Sequence, residues 1–209
     1  MTVASPTGYC SIDGVDVQDV LVFMRCDFNV PFHADGSITD DRRIASAVST
    51  IASVLDRGGR LVLASHLGRP KGEGYETSAS LKNVAEHLAT LLGKPVGFPS
   101  NDCLDEAASD AIAALAPGEV LLLENTRFHA GEKAGDPAFA QALLRDAAVF
   151  CNEAFGVRHR SDASIVAAAK LMHPKPCVAG RLLANEIHWL SEVIEAPQRP
   201  FVAVLGGAK

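Results

Sequence analysis

Apolar runs of strand length, separated by segments in which apolar residues repeat at helical spacing, constrain the fold of this chain more than any other feature. Four runs, residues 20–28, 61–64, 119–125 and 148–155, are nearly continuous in apolar side chains, which is typical of strands buried on both faces. Strands that alternate with helices predict a parallel sheet with helices packed on both faces. We therefore expect an α/β fold of three layers, α/β/α, around a doubly wound, Rossmann-like parallel sheet.

The segments between these runs predict the covering helices. In the first of them Ile44, Val48, Ile51 and Leu55 recur at helical spacing, and glycines follow at 58–59. Two further short strands are predicted at 95–99 and 200–205. A buried-type strand that runs into Gly-Gly-Ala-Lys normally continues into a helix, so we expect residues 200–209 to be the entrance to a second domain. The predicted helices cover residues 40–58, 80–93, 102–115, 136–144, 164–171 and 180–196.

Charge and cysteine usage limit the classes of function. The formal net charge of −6 at pH 7 argues against general nucleic-acid binding, so a basic site must be a local exception. No apolar run approaches the ~20 residues of a membrane span. Residues 1–16 lack the basic and apolar regions of a signal peptide. The five cysteines are scattered without the paired spacing of a zinc site, which favours a reducing cytoplasm and predicts no metal site.

Polar side chains follow each of the four main predicted strands. Because the carboxyl ends of parallel strands lie at one edge of the sheet, where open α/β folds bind ligands, we expect these side chains to converge. Several arginines and histidines gathered there would repel one another without a polyanionic ligand or carboxylate partners. The sequence therefore predicts a basic, anion-binding cleft. Its candidate residues are Asp27, Asn29, Arg42 or Arg43, His66, Arg69, Arg127, His129, His159 and Arg160.

Some of these residues also have a purely structural interpretation. Asp27 could hold a strand-end arginine in place, and Arg25, within a strand, is expected to be an internal ion-pair member. One of Arg42 and Arg43 is expected on a solvated helix face, and His129 is more often a loop residue than a ligand. No phosphate loop or nucleophile elbow occurs, and no G-x-G-x-x-G follows the first strand, which disfavours a nicotinamide-dependent oxidoreductase.

Six segments carry a more specific signal. They are MRCDFNVP (24–31), ITDDRRI (38–44), SHLGRPK (65–71), LLLENTRFH (121–129), NEAFGVRHR (152–160) and RPFVAVLGGAK (199–209). Together, and in this order, they resemble the phosphoglycerate kinase family. The resemblance implies two doubly wound domains joined by a helical hinge. It assigns residues 1–179 to the phosphoglycerate-binding domain, 180–199 to the hinge helix, and 200–209 to the first strand of the nucleotide-binding domain.

The resemblance implies reversible phosphoryl transfer from 1,3-bisphosphoglycerate to ADP, giving 3-phosphoglycerate and ATP, in glycolysis and gluconeogenesis. In the family the amino-terminal domain binds the phosphoglycerate and the carboxyl-terminal domain binds Mg-ADP or Mg-ATP. We therefore expect the full-length protein to be a cytoplasmic, monomeric kinase, and this chain alone to bind no nucleotide tightly and to lack turnover. The alternative is a stand-alone, non-catalytic binding module for phosphorylated carboxylic acids.

The resemblance also implies roles for individual residues. Asp27 and Asn29 would contact the hydroxyl and carboxylate region of the substrate. Arg43 would also stabilise the charge on the phosphoryl group in flight, and Lys209 would lie near the transferred phosphate, in the nucleotide-binding loop. The implied basic patch consists of Arg43, His66, Arg69, Arg127 and Arg160, with His159 close by.

Three positions depart from the pattern of the family. Glu153 stands where Asp is common, and Arg158 adds a positive charge beside the patch. Asp162 replaces a common His and could pair with Arg160. The effect of these three residues on substrate affinity stays open at this point.

Overall fold

The protein is built around a five-stranded sheet in which all neighbouring strands are parallel, in the order β3-β2-β1-β4-β5. The structure, a computed structural model, describes residues 9–195, 199–202, 204 and 206. The α/β fold with a parallel sheet, predicted from the sequence, is confirmed. The strands are β1 Leu21–Cys26, β2 Arg60–Ala64, β3 Val120–Leu122, β4 Val149–Glu153 and β5 Cys177–Ala179.

Helices connect the strands and cover the sheet. The last of them, α7 (Arg181–Glu195), confirms the predicted helix at 180–196, whereas the proposed division of the chain into three parts stays a prediction. A π-helical segment, Ala163–Ala167, leads directly into α6. In the described ranges the α-helices are α1 Arg42–Asp56, α2 Lys82–Leu92, α3 Glu106–Ala113, α4 Ala130–Ala134, α5 Pro137–Leu144, α6 Ala168–Met172 and α7 Arg181–Glu195.

Alternation along the strands divides the apolar core into two layers. On one face of the sheet, Met24 and Leu63 pack with helices α1 and α2. On the other face, Phe23 and Val62 pack with α3, α5 and α6. Successive side chains of a strand point to opposite faces, so a sheet buried on both faces requires apolar residues at nearly every position. This explains why the strand sequences are continuous apolar runs.

Two predictions at the edges of the sheet were wrong. Residues 95–99 form only an isolated bridge, Gly97 with Leu121, because Pro95 and Pro99 lack the N–H that a longer ladder requires. Strand β5 was missed, since a run of three residues gives no clear periodicity. The described residues of the predicted last strand, 200–202 and 204, are not in a strand, and residues 203 and 205 lie outside the described residues.

In the described part of the chain, no helix is both long and apolar enough to cross a membrane.

The core layer beneath α1 gives a test of the fold. Ile51 is fully buried against β1 and β2, so Ile51→Ala should lower the free energy of unfolding by roughly 2–5 kcal/mol. Ser49→Ala, at an exposed position of the same helix, should change it by no more than ~0.5 kcal/mol. Urea unfolding followed by circular dichroism measures both values. Equal unfolding midpoints for the two variants would contradict the assigned packing of α1.

Candidate anion-binding site

A cavity of about 230 Å³ lies at the carboxyl edge of the sheet, where the chain crosses from the β1–β2 side to the β4 side. Open α/β sheets bind ligands at such a switch point. The cavity is lined by residues that follow four different strands, together with one residue from the start of α1. The lining residues are Asn29, Arg43, His66, Gly68, Arg69, Arg127, Gly156, Val157, His159 and Arg160.

The structure brings together most of the residues singled out in the sequence. All of the implied basic patch lines this cavity, and so does Asn29. Asp27 lies beside it and contacts Arg43. Arg42 is outside it, with a side chain 88% exposed and paired with Asp40, so Arg42 is the solvated member of the arginine pair. Lys209 lies outside the described residues. The ligand roles of these residues remain predictions.

The loop after β1 holds the groups around it in place. Asp27 Oδ2 accepts a hydrogen bond from Arg43 Nη1 at 2.8 Å, so Asp27 does hold an arginine, but the one at the start of α1 and not one that follows a strand. Asn29 Oδ1 accepts from the backbone N–H of Gly68 at 2.9 Å, so the amide of Asn29 can offer a ligand only its N–H donors. Gly156 approaches Asp27 so closely that a Cβ there would lie 2.6 Å from Oδ2.

Arg127 forms the floor of the cavity and is only 3% exposed. Its Nη1 donates to the carbonyl of Gly68 at 3.1 Å, and its Nη2 forms a salt bridge with Asp162 Oδ2 at 3.1 Å. The expected pair between Asp162 and Arg160 was therefore wrong. A buried guanidinium requires a counter-charge far more than the partly exposed Arg160 does, and the buried carboxylate of Asp162 provides it.

His66 lies in the basic patch but is a neutral hydrogen-bond donor. Its Nδ1 is 3.2 Å from Nη2 of the buried Arg25, and because a guanidinium only donates, Nδ1 must accept and the proton of the neutral ring sits on Nε2. Burial, and then the positive charges of Arg25 and Arg127, lower the pKa of His66 to about 2. His66 therefore adds polarity and direction to the cavity at neutral pH, but no charge.

The charges of the cavity are only partly compensated. Within the described residues, salt bridges involve Arg43 and Arg127 but neither Arg69 nor Arg160. Guanidinium groups are always charged at neutral pH. Among the described residues, two of the four lining arginines thus have a carboxylate partner and two do not. The arrangement suits an anion that carries at least two negative charges and offers oxygen atoms to several donors.

Comparisons with known proteins decide the family. The model of the family described as phosphoglycerate kinase matches residues 12–209. The chain belongs to the phosphoglycerate kinase family. The phosphoglycerate kinase of Rhodopirellula baltica is 52% identical over 199 residues, which are 95% of this chain and 50% of that protein. The phosphoglycerate kinase of Methylorubrum extorquens strain PA1 is 47% identical over 197 residues, 94% of this chain and 48% of that protein.

Solved structures agree with this assignment. The structure of phosphoglycerate kinase from Coxiella burnetii superimposes with a TM-score of 0.84 at 34% identity, over 96% of this chain and 49% of that one. The enzyme from Pyrococcus horikoshii gives a TM-score of 0.83 at 30% identity, over 95% of this chain and 49% of that one. The chain therefore spans about half the length of the phosphoglycerate kinases that it matches.

Two residues that sequence reasoning passed over organise the cavity from below. The amide of the buried Asn125 donates to the carbonyls of Leu67 and Ala79, and its Oδ1 accepts from the N–H of Arg127. The buried Glu124 accepts from the N–H of Leu81 at 2.8 Å. Two polar residues directly after a buried strand were the available signal, because buried polar groups require partners.

The remaining candidate histidine, His129, makes its contacts outside the cavity. His129 Nε2 lies 2.8 Å from Asp102 Oδ1, and its ring packs against Phe139. It does not line the cavity. His129 is thus a loop residue, as expected.

The neutral state of His66 has a measurable consequence. Because its pKa is about 2 in the folded protein and ~6.5 when unfolded, the unfolded chain takes up a proton below pH ~6.5 that the folded chain does not. Stability should therefore fall as the pH drops below ~6.5, by at most about 1.4 kcal/mol per pH unit from this group. His66→Gln, which cannot titrate, should lose less stability between about pH 7 and pH 5.5. Urea unfolding at both pH values measures this difference, and an identical pH dependence in both proteins would refute the assignment.

Proposed function

We propose that this chain supplies the 3-phosphoglycerate-binding half of a phosphoglycerate kinase, which transfers a phosphoryl group reversibly from 1,3-bisphosphoglycerate to ADP. The observation that carries the proposal is the cavity at the sheet edge, where four arginines converge and two of them lack a carboxylate partner among the described residues. The family assignment supports the same reaction. The full-length enzyme is proposed to be a cytoplasmic monomer.

The proposed ligand matches the cavity in charge and in the placement of donors. 3-Phosphoglycerate has a phosphate at one end, a carboxylate at the other and a hydroxyl between them. Planar guanidinium groups bind both kinds of anion through two parallel hydrogen bonds, and Arg69 and Arg160 are available for this. Arg127, which already donates to Gly68 and Asp162, is proposed to add its remaining N–H groups from the floor of the cavity. His66 Nε2–H and the amide of Asn29 supply neutral donors. Asp27 is proposed to accept from the substrate hydroxyl while it holds Arg43.

Arg43 is proposed to act in the chemical step. Phosphoryl transfer passes through a loose transition state with charge spread over the phosphoryl oxygens, so catalysis depends on positioning and on cationic stabilisation. The side chain of Arg43 is 51% exposed at the mouth of the cavity, and Asp27 fixes its direction through the 2.8 Å contact. It can therefore reach a group that enters from outside. Lys209 is proposed to contact the same phosphoryl group from the nucleotide side.

Magnesium and the nucleotide are assigned to other parts of the full-length enzyme. Mg²⁺ requires oxygen ligands, usually carboxylates or phosphates. The carboxylates nearest the cavity, Asp27 and Asp162, are both paired with arginines, so the described cavity does not fit a magnesium ion. When bound elsewhere, the metal would neutralise charge on the nucleotide phosphates. This chain contributes binding, orientation and cationic stabilisation of the phosphoglycerate.

Removal of one lining arginine tests the binding site. Arg69 is exposed, so Arg69→Ala should not change stability but should weaken 3-phosphoglycerate binding by about tenfold to 100-fold, the loss expected for hydrogen bonds to a charged group. Isothermal titration calorimetry at low and moderate salt measures the affinity, which should fall with salt. Arg42→Ala removes an equally charged, exposed arginine outside the cavity and should have little effect. If both variants lost the same affinity for 3-phosphoglycerate, only long-range attraction between the protein and the anion would be indicated. That result would overturn the assignment of the cavity as the binding site.

Turnover separates this proposal from the alternative of a binding module without catalysis. The purified 209-residue chain should make no detectable ATP from 1,3-bisphosphoglycerate and Mg-ADP, since the described cavity does not fit a magnesium ion and the magnesium nucleotide is proposed to bind in another part of the full-length enzyme. A full-length protein that contains this chain and a nucleotide-binding domain should be active, and it should lose activity in Arg43→Ala. ATP formation by the 209-residue chain would contradict the assignment of roles. An inactive full-length protein that still binds 3-phosphoglycerate would favour the module.

A further inference from the structure

Helix α7 is docked on the rest of the protein by polar contacts at its first turn. None of its residues is buried, although the helix has an apolar face that includes Leu190 and Ile194, both of them exposed. The guanidinium of Arg181 contacts Asp13 at 2.9–3.1 Å and the carbonyl of Ser49 at 3.1 Å. Apolar burial in this helix is limited to half-buried side chains such as Leu182, Leu183 and Ile187. The polar contacts at its amino terminus therefore have a large part in fixing it.

Glu153, the last residue of β4, provides the central contact of this turn. It is 1% exposed, and its carboxylate accepts from the backbone N–H groups of Leu182 at 3.2 Å and Leu183 at 3.4 Å. The hydroxyl of Thr50, on α1, bonds to Glu153 and accepts from the N–H of Arg181 at 3.2 Å. The first N–H groups of a helix have no partner within the helix. Here a strand and a neighbouring helix satisfy three of them, and a carboxylate at this end is also favoured by the helix dipole.

The backbone at Gly180 passes very close to the carboxylate of Glu153. A Cβ at this position would lie 2.0 Å from Glu153 Oε2, so only glycine lets the backbone pass the carboxylate. The N–H of Gly180 donates to the carbonyl of Asn152 at 2.9 Å. The entrance to α7 is therefore built directly onto the end of β4.

The same end of β4 leads into the anion-binding cavity. Three residues after Glu153, the turn Phe155–Val157 begins to line the cavity at Gly156, and α7 also contacts this turn. His159 and Arg160 follow on the same loop. One short segment thus touches the helix at one end and the cavity at the other, so a shift of α7 cannot leave the loop unaffected.

We propose that Glu153 is a positioning residue that couples the docking of α7 to anion binding in the cavity. The coupling rests on the proposed function only in the choice of 3-phosphoglycerate as the anion. Coupling is reciprocal. An anion held by the 156–160 loop stabilises the docked α7, and the docked helix holds the loop in the geometry that binds the anion.

Hydrogen exchange and ligand binding test both directions. In the 209-residue chain, 3-phosphoglycerate should slow amide exchange at 181–183. Glu153→Gln keeps the size of the side chain but turns an N–H₂ group toward one of the helix N–H donors. We expect faster exchange at 181–183, greater mobility of Trp189, which is the only tryptophan in the sequence, in fluorescence anisotropy, and affinity for 3-phosphoglycerate lower by about fivefold or more. The ligand should no longer slow exchange at 181–183.

A matched control separates coupling from general destabilisation. Asp105→Ala removes the side-chain cap of α3, where Asp105 accepts from the N–H of Ala108 at 2.8 Å, and Asp105 does not line the cavity. This variant should lose stability but keep both the affinity and the protection of 181–183 by the ligand. If Glu153→Gln does not fold, Thr50→Val removes the bridging hydroxyl with little change of shape and should give the same effects to a smaller extent.

The outcomes also distinguish this proposal from the proposed function. If wild-type protein binds no 3-phosphoglycerate, the proposed function fails, while faster exchange at 181–183 in Glu153→Gln without ligand still supports the docking role of Glu153. If Glu153→Gln binds 3-phosphoglycerate with wild-type affinity and the ligand still slows exchange at 181–183, the coupling is overturned.

Discussion

A fully buried arginine in the central strand is the constraint on which the rest of the site depends. Arg25 lies in β1 with no exposed surface, and a buried guanidinium is tolerated only when it is paired and its donors are satisfied. Its partners come from separate parts of the chain: Glu132 of α4 at 3.7 Å, Ser164 of the π-helical segment at 2.6 Å, and His66 of the loop after β2 at 3.2 Å. The need to satisfy one side chain thus fixes α4, the π-helical segment and the loop after β2 relative to the sheet, and it sets the tautomer of His66 that faces the cavity.

The carboxylates around the cavity orient cations and leave the ligand to complete the charge balance. Asp27 holds Arg43, and Asp162 holds Arg127. Each pair fixes a long side chain before any anion arrives, so binding loses less side-chain entropy. If every lining arginine had a carboxylate partner, the cavity would have no excess positive charge to attract an anion. Without the carboxylates, the arginines would repel one another. The overall net charge of −6 makes this positive spot a local exception, which focuses an anionic ligand on it.

The sequence was sufficient for four of the five strands, β1 to β4, and for the meeting of most candidate residues at one edge of the sheet, because both follow from local pattern and one topological rule. Continuous apolar runs indicate buried parallel strands, and parallel strands place their carboxyl ends together, which is where Asn29, His66 and Arg127 are found. The salt-bridge partners of these residues and the protonation state of His66 were harder to predict from the sequence. The partner of Asp162 depends on which arginine is buried, and the neutral state of His66 depends on its distance from Arg25. Both are tertiary properties that carry no periodic signal.

Polar docking of α7 has consequences that apolar docking would not have. Hydrogen bonds weaken steeply when donor and acceptor lose alignment, whereas apolar contact tolerates sliding. The bonds from Leu182 and Leu183 to Glu153 therefore specify the direction in which α7 leaves the sheet, not only its position. Since Trp189 and Ile194 further along the helix are exposed, little else in the described chain restrains its far end. A helix held firmly at one turn and lightly elsewhere can pivot about that turn. Glu153, which holds that turn, lies three residues before Gly156 in the lining of the cavity. The orientation of the helix and the geometry of the cavity are therefore linked through Glu153.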